Sequence, residues 1–285
     1  MEQKLSINQE RCIRCGKCVR VCPSLILGKV EGRIEVIDAE NCISCGHCVA
    51  VCPKEAVVHA DFPADKVHAV NYADYPGAEQ MLLLCKARRS NRAFSNKPVP
   101  EELLEQILEA AHRAPTASNA QQVEFTLVTD PEKLRLITTF TLGVFGAAMR
   151  KMKNPFLKPL VKLMLPDALR YLPAFERLLR EDAGGNDMIL RKATAVLLIH
   201  TPRKSRFGCQ DANLAYQNGS LMAECLGVAQ FYTGFVCSAI QQEGKGGLEK
   251  ALGIDGRIHA GMALGMPSFR YDHYIDRKEI RVKRL

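Results

Sequence analysis

The pattern Cys-x-x-Cys-x-x-Cys-x-x-x-Cys-Pro occurs twice, at Cys12, Cys15, Cys18, Cys22-Pro23 and at Cys42, Cys45, Cys48, Cys52-Pro53. Nothing else in the chain restricts folding so strongly. A tight loop with thiols at this spacing can wrap three corners of a small inorganic cube. Eight such thiolates can hold two [4Fe–4S] clusters, each of which needs four sulfurs. Gly16 and Gly46 stand between the second and third cysteines of each run, where backbone must approach the cluster without a Cβ in the way. The prolines turn the chain away after the last ligand and donate no N–H. Four disulfides are one alternative, but the chain shows no signal-peptide pattern, and its remainder is too large and apolar to need staples. Two zinc sites are another, yet zinc ribbons rarely repeat four-cysteine blocks in this rhythm.

The spacing resembles that of bacterial two-cluster ferredoxins over about residues 4–60. In that family the fourth cysteine of each run serves the other cluster. The resemblance therefore implies Cys12, Cys15, Cys18 and Cys52 around one cluster, and Cys42, Cys45, Cys48 and Cys22 around the second. Residues 5–11 and 34–41 precede the two blocks, and residues 24–30 and 54–60 follow them, with a repeat offset of 30. The expected unit is a short strand, a ligand loop and a short helical turn, used twice in a βαβ-type module over residues 1–60. Such a module has little core of its own, so cluster binding supplies much of its folding free energy. His47 lies inside the second loop, where the thiolates already complete the ligand count; it is expected to tune the cluster and not to bind it.

The 285 residues leave room for one further domain. With 47% hydrophobic and 25% charged residues the composition is that of a soluble globular protein, and no apolar run has the length of a membrane span. Twelve cysteines without a signal sequence suit a reducing, cytoplasmic compartment. The net charge of +8 suits an anionic cofactor or an acidic partner. Nucleic acid is a poor fit, because no recognition motif is present and tryptophan is absent. Residues 61–78 are polar, aperiodic and contain two prolines, and read as a linker. The second domain then covers 79–285.

Residues 79–87 read as a short helix that delivers Arg88, Ser90 and Arg92. In an extended segment these three alternate onto one side, and two guanidinium forks with a hydroxyl make a phosphate clamp. Pro100 takes a first helical position, Glu101 and Glu102 the first turn, and Leu103, Leu104, Ile107, Leu108 and Ala111 one apolar stripe. That helix ends near Arg113, ahead of Pro115, and a strand follows over 123–129. Residues 136–190 mix apolar residues, lysines and prolines and are expected to form several short helices. They serve as a solvated excursion, a lid, a docking surface or, last, a membrane-surface helix. Residues 194–200 read as a buried strand and residues 209–227 as a helix with Asp211 at its start. The glycines at 244–247 are not a dinucleotide fingerprint, since no strand feeds them. Cys85, Cys209, Cys225 and Cys237 are expected to be small buried hydrophobes.

The succession RRSNRAF, PVPEELLEQILEAA and APTASNAQ, then a strand, resembles the FMN-dependent nitroreductase family, and the likeness runs over about 79–285. The resemblance implies an α+β sandwich, a mostly antiparallel sheet flanked by helices, and a homodimer with FMN at its interface. It also assigns residues. Arg88, Ser90 and Arg92 hold the phosphate and ribityl end. Pro115, Thr116, Ala117 and Asn119 line the isoalloxazine, on the partner subunit's flavin. Thr233 and Gly234 pass backbone N–H groups near flavin N5, and Arg277 reaches the phosphate from the C-terminal arm, with Lys278 a weaker candidate. Gln122-Val123 stands where the family usually has Pro-Trp.

Clusters beside a flavin in one chain imply an electron line from an external ferredoxin-type donor, through two clusters, to FMN and a small electron-poor acceptor such as a nitroaromatic or quinone; the other direction is reverse flow, from an NAD(P)H donor through the flavin to the clusters. No protein general acid is demanded if solvent supplies the proton. The alternatives are an electron-transfer subunit that relays electrons to a protein partner without small-molecule turnover, and flavin chemistry on an unusual substrate, such as reductive dehalogenation.

Overall fold

A computed structural model describes residues 4–156 and 170–285. The chain divides into two compact units. One comprises residues up to Pro76 together with Ala117–Ala120, and the other Gly77–Thr116 with Gln121–Leu285.

The first unit is built on the thirty-residue repeat. Strand β1 (Leu5–Ile7), helix α1 (Lys17–Val21) and strand β2 (Leu27–Val30) are followed by β3 (Arg33–Val36), α2 (His47–Ala50) and β4 (Val57–His59). The helical turn therefore sits inside each cysteine block and carries its third ligand, and residues after the block form a strand. This differs from the expected placement of the turn after the ligands. The pairing is crosswise and antiparallel: β1 with β4, so that Leu5 faces His59, and β2 with β3. Leu5, Ile26, Leu27, Ile34 and Val57 are buried together with Cys18, Cys22 and Cys48. This core is small, and the ligand cysteines form part of it. Residues 61–76 continue through two single 3₁₀ turns, Ala64–Lys66 and Tyr72–Asp74.

The second unit has a four-stranded sheet of β5 (Glu124–Val128), β6 (Ala195–Thr201), β7 (Ala229–Tyr232) and β8 (Arg257–Gly265), in spatial order β5-β6-β8-β7 and antiparallel throughout. Every residue of β6 is buried, because both faces of the sheet are covered. The period of two divides its side chains. Val196 and Leu198 face one core with Ile137, Phe145 and Ile240, while Ala195, Leu197 and Ile199 face the other with Leu104, Ile107 and Ala215. The first face is covered by α5 (Pro131–Lys153), α6 (Leu172–Ala183), α8 (Gly234–Glu243) and α9 (Gly247–Leu252), the second by α4 (Glu101–His112) and α7 (Gly208–Cys225). Helix α3 (Ala78–Ala87) leads into this unit. The result is an α+β sandwich with helices on both faces of an antiparallel sheet.

Two expectations change here. Residues 136–153 are not short pieces but the body of the 23-residue helix α5. Asp130 caps it through Glu132 N–H at 2.8 Å, Pro131 opens it, and Arg150, Lys151 and Lys153 complement its carbonyl end. Residues 157–169 of the same stretch lie outside the described residues. Pro100 is the cap of α4, not its first helical residue. Among the described residues no helix is long and apolar enough to cross a membrane.

Candidate functional site

The cysteine loops repeat their backbone as well as their sequence. Arg14 and Ser44 take φ of 58° and 49°, and Gly16 and Gly46 take 71° and 73°. Two left-handed residues so close together curl each loop, a backbone form akin to the nests that receive anionic groups. After each Cys-Pro, Leu25 and Glu55 again have positive φ, and Ile26 N–H and Ala56 N–H donate to Cys22 Sγ and Cys52 Sγ at 3.4 and 3.2 Å.

Two cavities follow from this. One is lined by Cys12, Cys15, Cys18 and Cys52, with Ile7, Ile34 and Val57 behind them. The other is lined by Cys22, Cys42, Cys45 and Cys48, with Ile26 and His59. Each takes three cysteines from one run and the fourth from the other. The electrostatics agree. Burial raises the Cys18 thiol, with the nearby charges of Cys52 and Cys12 adding to the rise. Burial pushes Cys48 up to about 11, with Cys45 and Cys42 adding. A hollow lined by four cysteines and apolar side chains suits an iron–sulfur cube, while among the described residues no group of three or more His, Cys, Asp or Glu is placed to hold a single metal ion.

His59 was missed by sequence reasoning. It ends β4, is 3% exposed, and its Nε2 lies 3.6 Å from Cys42 Sγ. His47, the histidine expected to tune a cluster, is exposed. Asn119 is a second surprise: its side-chain amide donates to the carbonyls of Ser44 at 2.8 Å and Ile43 at 3.2 Å, inside the second ligand loop.

In the second unit, Arg88 to Ser95 runs beside the end of β8. Ser95 N–H donates to Met266 O at 2.7 Å, and Ser268 N–H to Ala93 O at 2.9 Å. A Cβ on Gly265 would stand 2.6 Å from the Phe94 ring, so glycine is what lets this segment close in. Asn91 ties the segment to Phe269 O, and Arg89 reaches Ile275 O in the C-terminal stretch. Burial raises the Tyr216 phenol, and the charges of Arg88 and Arg92 lower it. Arg92 also lies over the Phe231 ring, 5.2 Å from its centroid.

Arg92 opens onto a cavity of about 550 Å³ whose walls are Phe145, Phe175, Phe231 and Phe235, with Gly234 at the start of α8. Phe145 stacks on Phe175 at 4.6 Å. Gly234 is the first residue of its helix, and such amides lack intrahelical acceptors. Thr233 is different, because its N–H is already given to Gly261 O at 2.9 Å, which leaves Gly234 as the free candidate of the pair. Flat aromatic walls, a guanidinium and a helix N-terminus suit a planar anionic cofactor. Arg88, Ser90, Pro115, Thr116 and Arg277 do not line this cavity; Arg277 and Lys278 are exposed in the C-terminal stretch. Thr116 Oγ1 accepts from Gln121 N–H at 3.0 Å, and Ala117 and Asn119 group with the first unit. Of the remaining cysteines only Cys237 is buried. Cys85, Cys209 and Cys225 are exposed, Cys85 on a helix with no buried residue.

Comparison with known proteins matches residues 85–266 to the nitroreductase family and residues 4–53 to the 4Fe-4S dicluster domain. A protein of Archaeoglobus fulgidus with the provisional name NADH dehydrogenase/NAD(P)H nitroreductase is 27% identical over 203 residues, 69% of this chain and 90% of that protein. An FMN reductase [NAD(P)H] of Bacillus subtilis is 40% identical over 55 residues, 19% of this chain and 22% of that one. Among solved structures, a nitroreductase with bound FMN from Bacteroides fragilis superposes with a TM-score of 0.53 at 20% identity, over 72% of this chain and 99% of its own. One from Desulfitobacterium hafniense, also with bound FMN, gives 0.53 at 20%, over 71% and 97%. These two likenesses concern the fold.

Proposed function

The chain belongs to the nitroreductase family, and on that premise we propose that it is an iron–sulfur flavoprotein oxidoreductase holding two [4Fe–4S] clusters and one FMN. It passes electrons from a low-potential ferredoxin-type donor, through the clusters and the flavin, to a small electron-poor acceptor; NAD(P)H, a hydride donor, would enter at the flavin and drive the reverse flow toward the clusters. The observation that carries the reading is the pair of four-cysteine cavities, each completed by a cysteine of the other run, in the same chain as the aromatic cavity at Arg92. The division is a cluster module over 1–60, a linker over 61–78 and a flavin module over 79–285, working as a cytoplasmic homodimer.

When bound, the clusters supply one-electron transfer and FMN supplies the exchange between one- and two-electron chemistry. The chain's own residues bind and position. Arg92 would hold the phosphate and ribityl end from the cavity wall, and Arg88, Ser90 and Arg277, which lie outside that lining, would join it as the family likeness implies. Pro115, Thr116, Ala117 and Asn119 lie along the partner subunit's flavin. The Gly234 N–H is presented at N5, with Thr233 holding the helix start against Gly261 O. Phe231 and Phe235 keep water from the ring face. Among the described lining residues none is a carboxylate or an imidazole, and solvent can supply the proton delivered to substrate.

The test is anaerobic. Protein with its full iron and flavin is mixed with a reduced ferredoxin-type donor or with NAD(P)H, and cluster and flavin absorbance are followed in stopped flow before a nitroaromatic or quinone is added. With the ferredoxin-type donor, cluster bleaching should precede flavin bleaching, and acceptor should restore both; flavin bleached rapidly by NAD(P)H but not by the cluster donor would reverse the line. Flavin that stays oxidised while the clusters are reduced would remove the proposed line.

A further inference from the structure

We propose that His59 donates an N–H···S hydrogen bond to Cys42, and that this bond makes the second cluster the easier of the two to reduce. The inference rests on the two-cluster reading above.

The tautomer is set by the backbone. Asp61 N–H donates to His59 Nδ1 at 3.1 Å, so Nδ1 is an acceptor and the ring proton belongs on Nε2. Nε2 is the atom 3.6 Å from Cys42 Sγ. A thiolate that ligates iron carries no proton, so in this contact the ring can only donate. The ring cannot easily turn away. Its side chain has no solvent exposure, and Phe62 packs on it with centroids 4.9 Å apart. Phe62 in turn lies against Gly46, where a Cβ would come within 3.3 Å of the ring. Asp61 is itself tied to Lys4 at 3.2 Å and hydrogen-bonded to Ser44 of the ligand loop. The histidine is thus held from both sides by the loop whose sulfur it addresses.

The repeat supplies an internal comparison. Thirty residues before His59 stands Lys29, which is exposed, and thirty before Cys42 stands Cys12. The backbone N–H···S bonds at Cys22 and Cys52 are duplicated, one in each cavity, and so do not separate the clusters. The His59 bond has no such counterpart at Lys29, and the added charges of the first loop, Arg11, Arg14 and Lys17 in place of Asn41, Ser44 and His47, are exposed and screened by solvent. A donor to a ligand sulfur stabilises the more negative, reduced state of a cluster and raises its potential. One electron entering the module then settles on the cluster of Cys22, Cys42, Cys45 and Cys48. His59 is a positioning residue, since it acts through Cys42 and touches no substrate.

The test uses the intact holoprotein and needs neither flavin reduction nor turnover, so a failure of the proposed function leaves it standing. Anaerobic redox titration followed by electron paramagnetic resonance gives the two cluster potentials. His59→Phe, which removes the donor, should shift the one-electron partition between the clusters at least tenfold away from the second, about 59 mV for a one-electron couple. His59→Gln, which keeps an N–H donor, should recover most of the shift, and His47→Ala should leave both potentials unchanged. Should His59→Phe fail to load iron, the unaltered histidine still decides. With ¹⁵N-histidine in a His47→Ala background, the cluster that is reduced first should show a ¹⁵N coupling. No such coupling, or an iron-replete His59→Phe with both potentials unmoved, overturns the proposal.

Discussion

Gly16 and Gly46 offer a matched pair for testing what the cluster loops require. Both have left-handed backbones, at φ 71° and 73°. An alanine in that region costs about 1–2 kcal/mol. They differ in surroundings: a Cβ on Gly16 meets nothing within 4 Å, whereas one on Gly46 meets Phe62 Cζ at 3.3 Å and Cε2 at 3.4 Å. Gly16→Ala should therefore carry backbone strain alone. Gly46→Ala carries the same strain and must also move a ring that packs on His59, a further cost of about 0.5–1 kcal/mol if the shift is a few tenths of an ångström. If the strain is relieved when the cluster leaves, each 1.36 kcal/mol is a factor of about ten in rate. Cluster loss into a chelator, followed by visible absorbance, should be about five- to thirtyfold faster in Gly16→Ala than in the unaltered protein, and two- to fivefold faster again in Gly46→Ala. The reasoning is refuted if the two variants lose iron equally fast, or if Gly16→Ala is the faster.

Cys52→Ser should expose Cys12, Cys15 and Cys18 to an alkylating reagent while Cys22, Cys42, Cys45 and Cys48 stay protected, read by mass spectrometry of the anaerobic protein; uncrossed ligation would protect the first three instead. Arg92→Gln removes a charged donor worth about 1.5–3 kcal/mol and should weaken FMN binding about ten- to 150-fold in a fluorescence titration, whereas Arg113→Gln, at an exposed pair with Glu109, should not. The Arg135 hydrogen bonds at 2.5 and 2.8 Å hold the Asp182 carboxyl below its ordinary value and join α5 to α6. A depressed carboxylate pKa contributes stability above the unfolded value of about 4, and that contribution is lost as pH falls through the folded value. Arg135 is half exposed, so solvent screening reduces the bond to about 1 kcal/mol. Asp182→Asn should lower the Tm by about 2–4 °C at pH 7 and by nothing measurable at about pH 2; an equal deficit at both would assign it to lost packing.

Much of this was readable from residue spacing. The cysteine runs, the stripe of α4 and the continuous apolar β6 each carry their period in a short window, and the structure places Leu104, Ile107 and Ala111 inward as the period requires. Helix α5 was harder. Thr138 and Thr141 occupy its buried face, which breaks the apolar stripe, yet Thr141 satisfies its hydroxyl on Ile137 O one turn back. The lysines near its end read as an interruption but serve its carbonyl terminus. Thr233 and Asn119 were placed by likeness, and their hydrogen bonds depend on chain segments distant in sequence, Gly261 for one and the loop at Ser44 for the other. No local pattern encodes such partners.

A duplicated module has two equivalent sites until side chains break the equivalence, so residues that differ across the offset of 30 are where the two sites acquire different properties. Charge sets the first loop apart, with Arg11, Arg14 and Lys17 against Asn41, Ser44 and His47, while the buried contacts gather on the second. His59 replaces a lysine, Phe62 covers Gly46, Asp61 engages Ser44, and Asn119 arrives from later in the chain to hold the carbonyls of Ile43 and Ser44. Every one of these bears on the loop of Cys42, Cys45 and Cys48. A loop restrained at this many points changes shape less when its cluster gains charge, which lowers the cost of moving an electron through it. The same comparison predicts unequal consequences for paired substitutions: changes in the second loop should alter both potential and iron retention, and their counterparts in the first loop should alter retention alone.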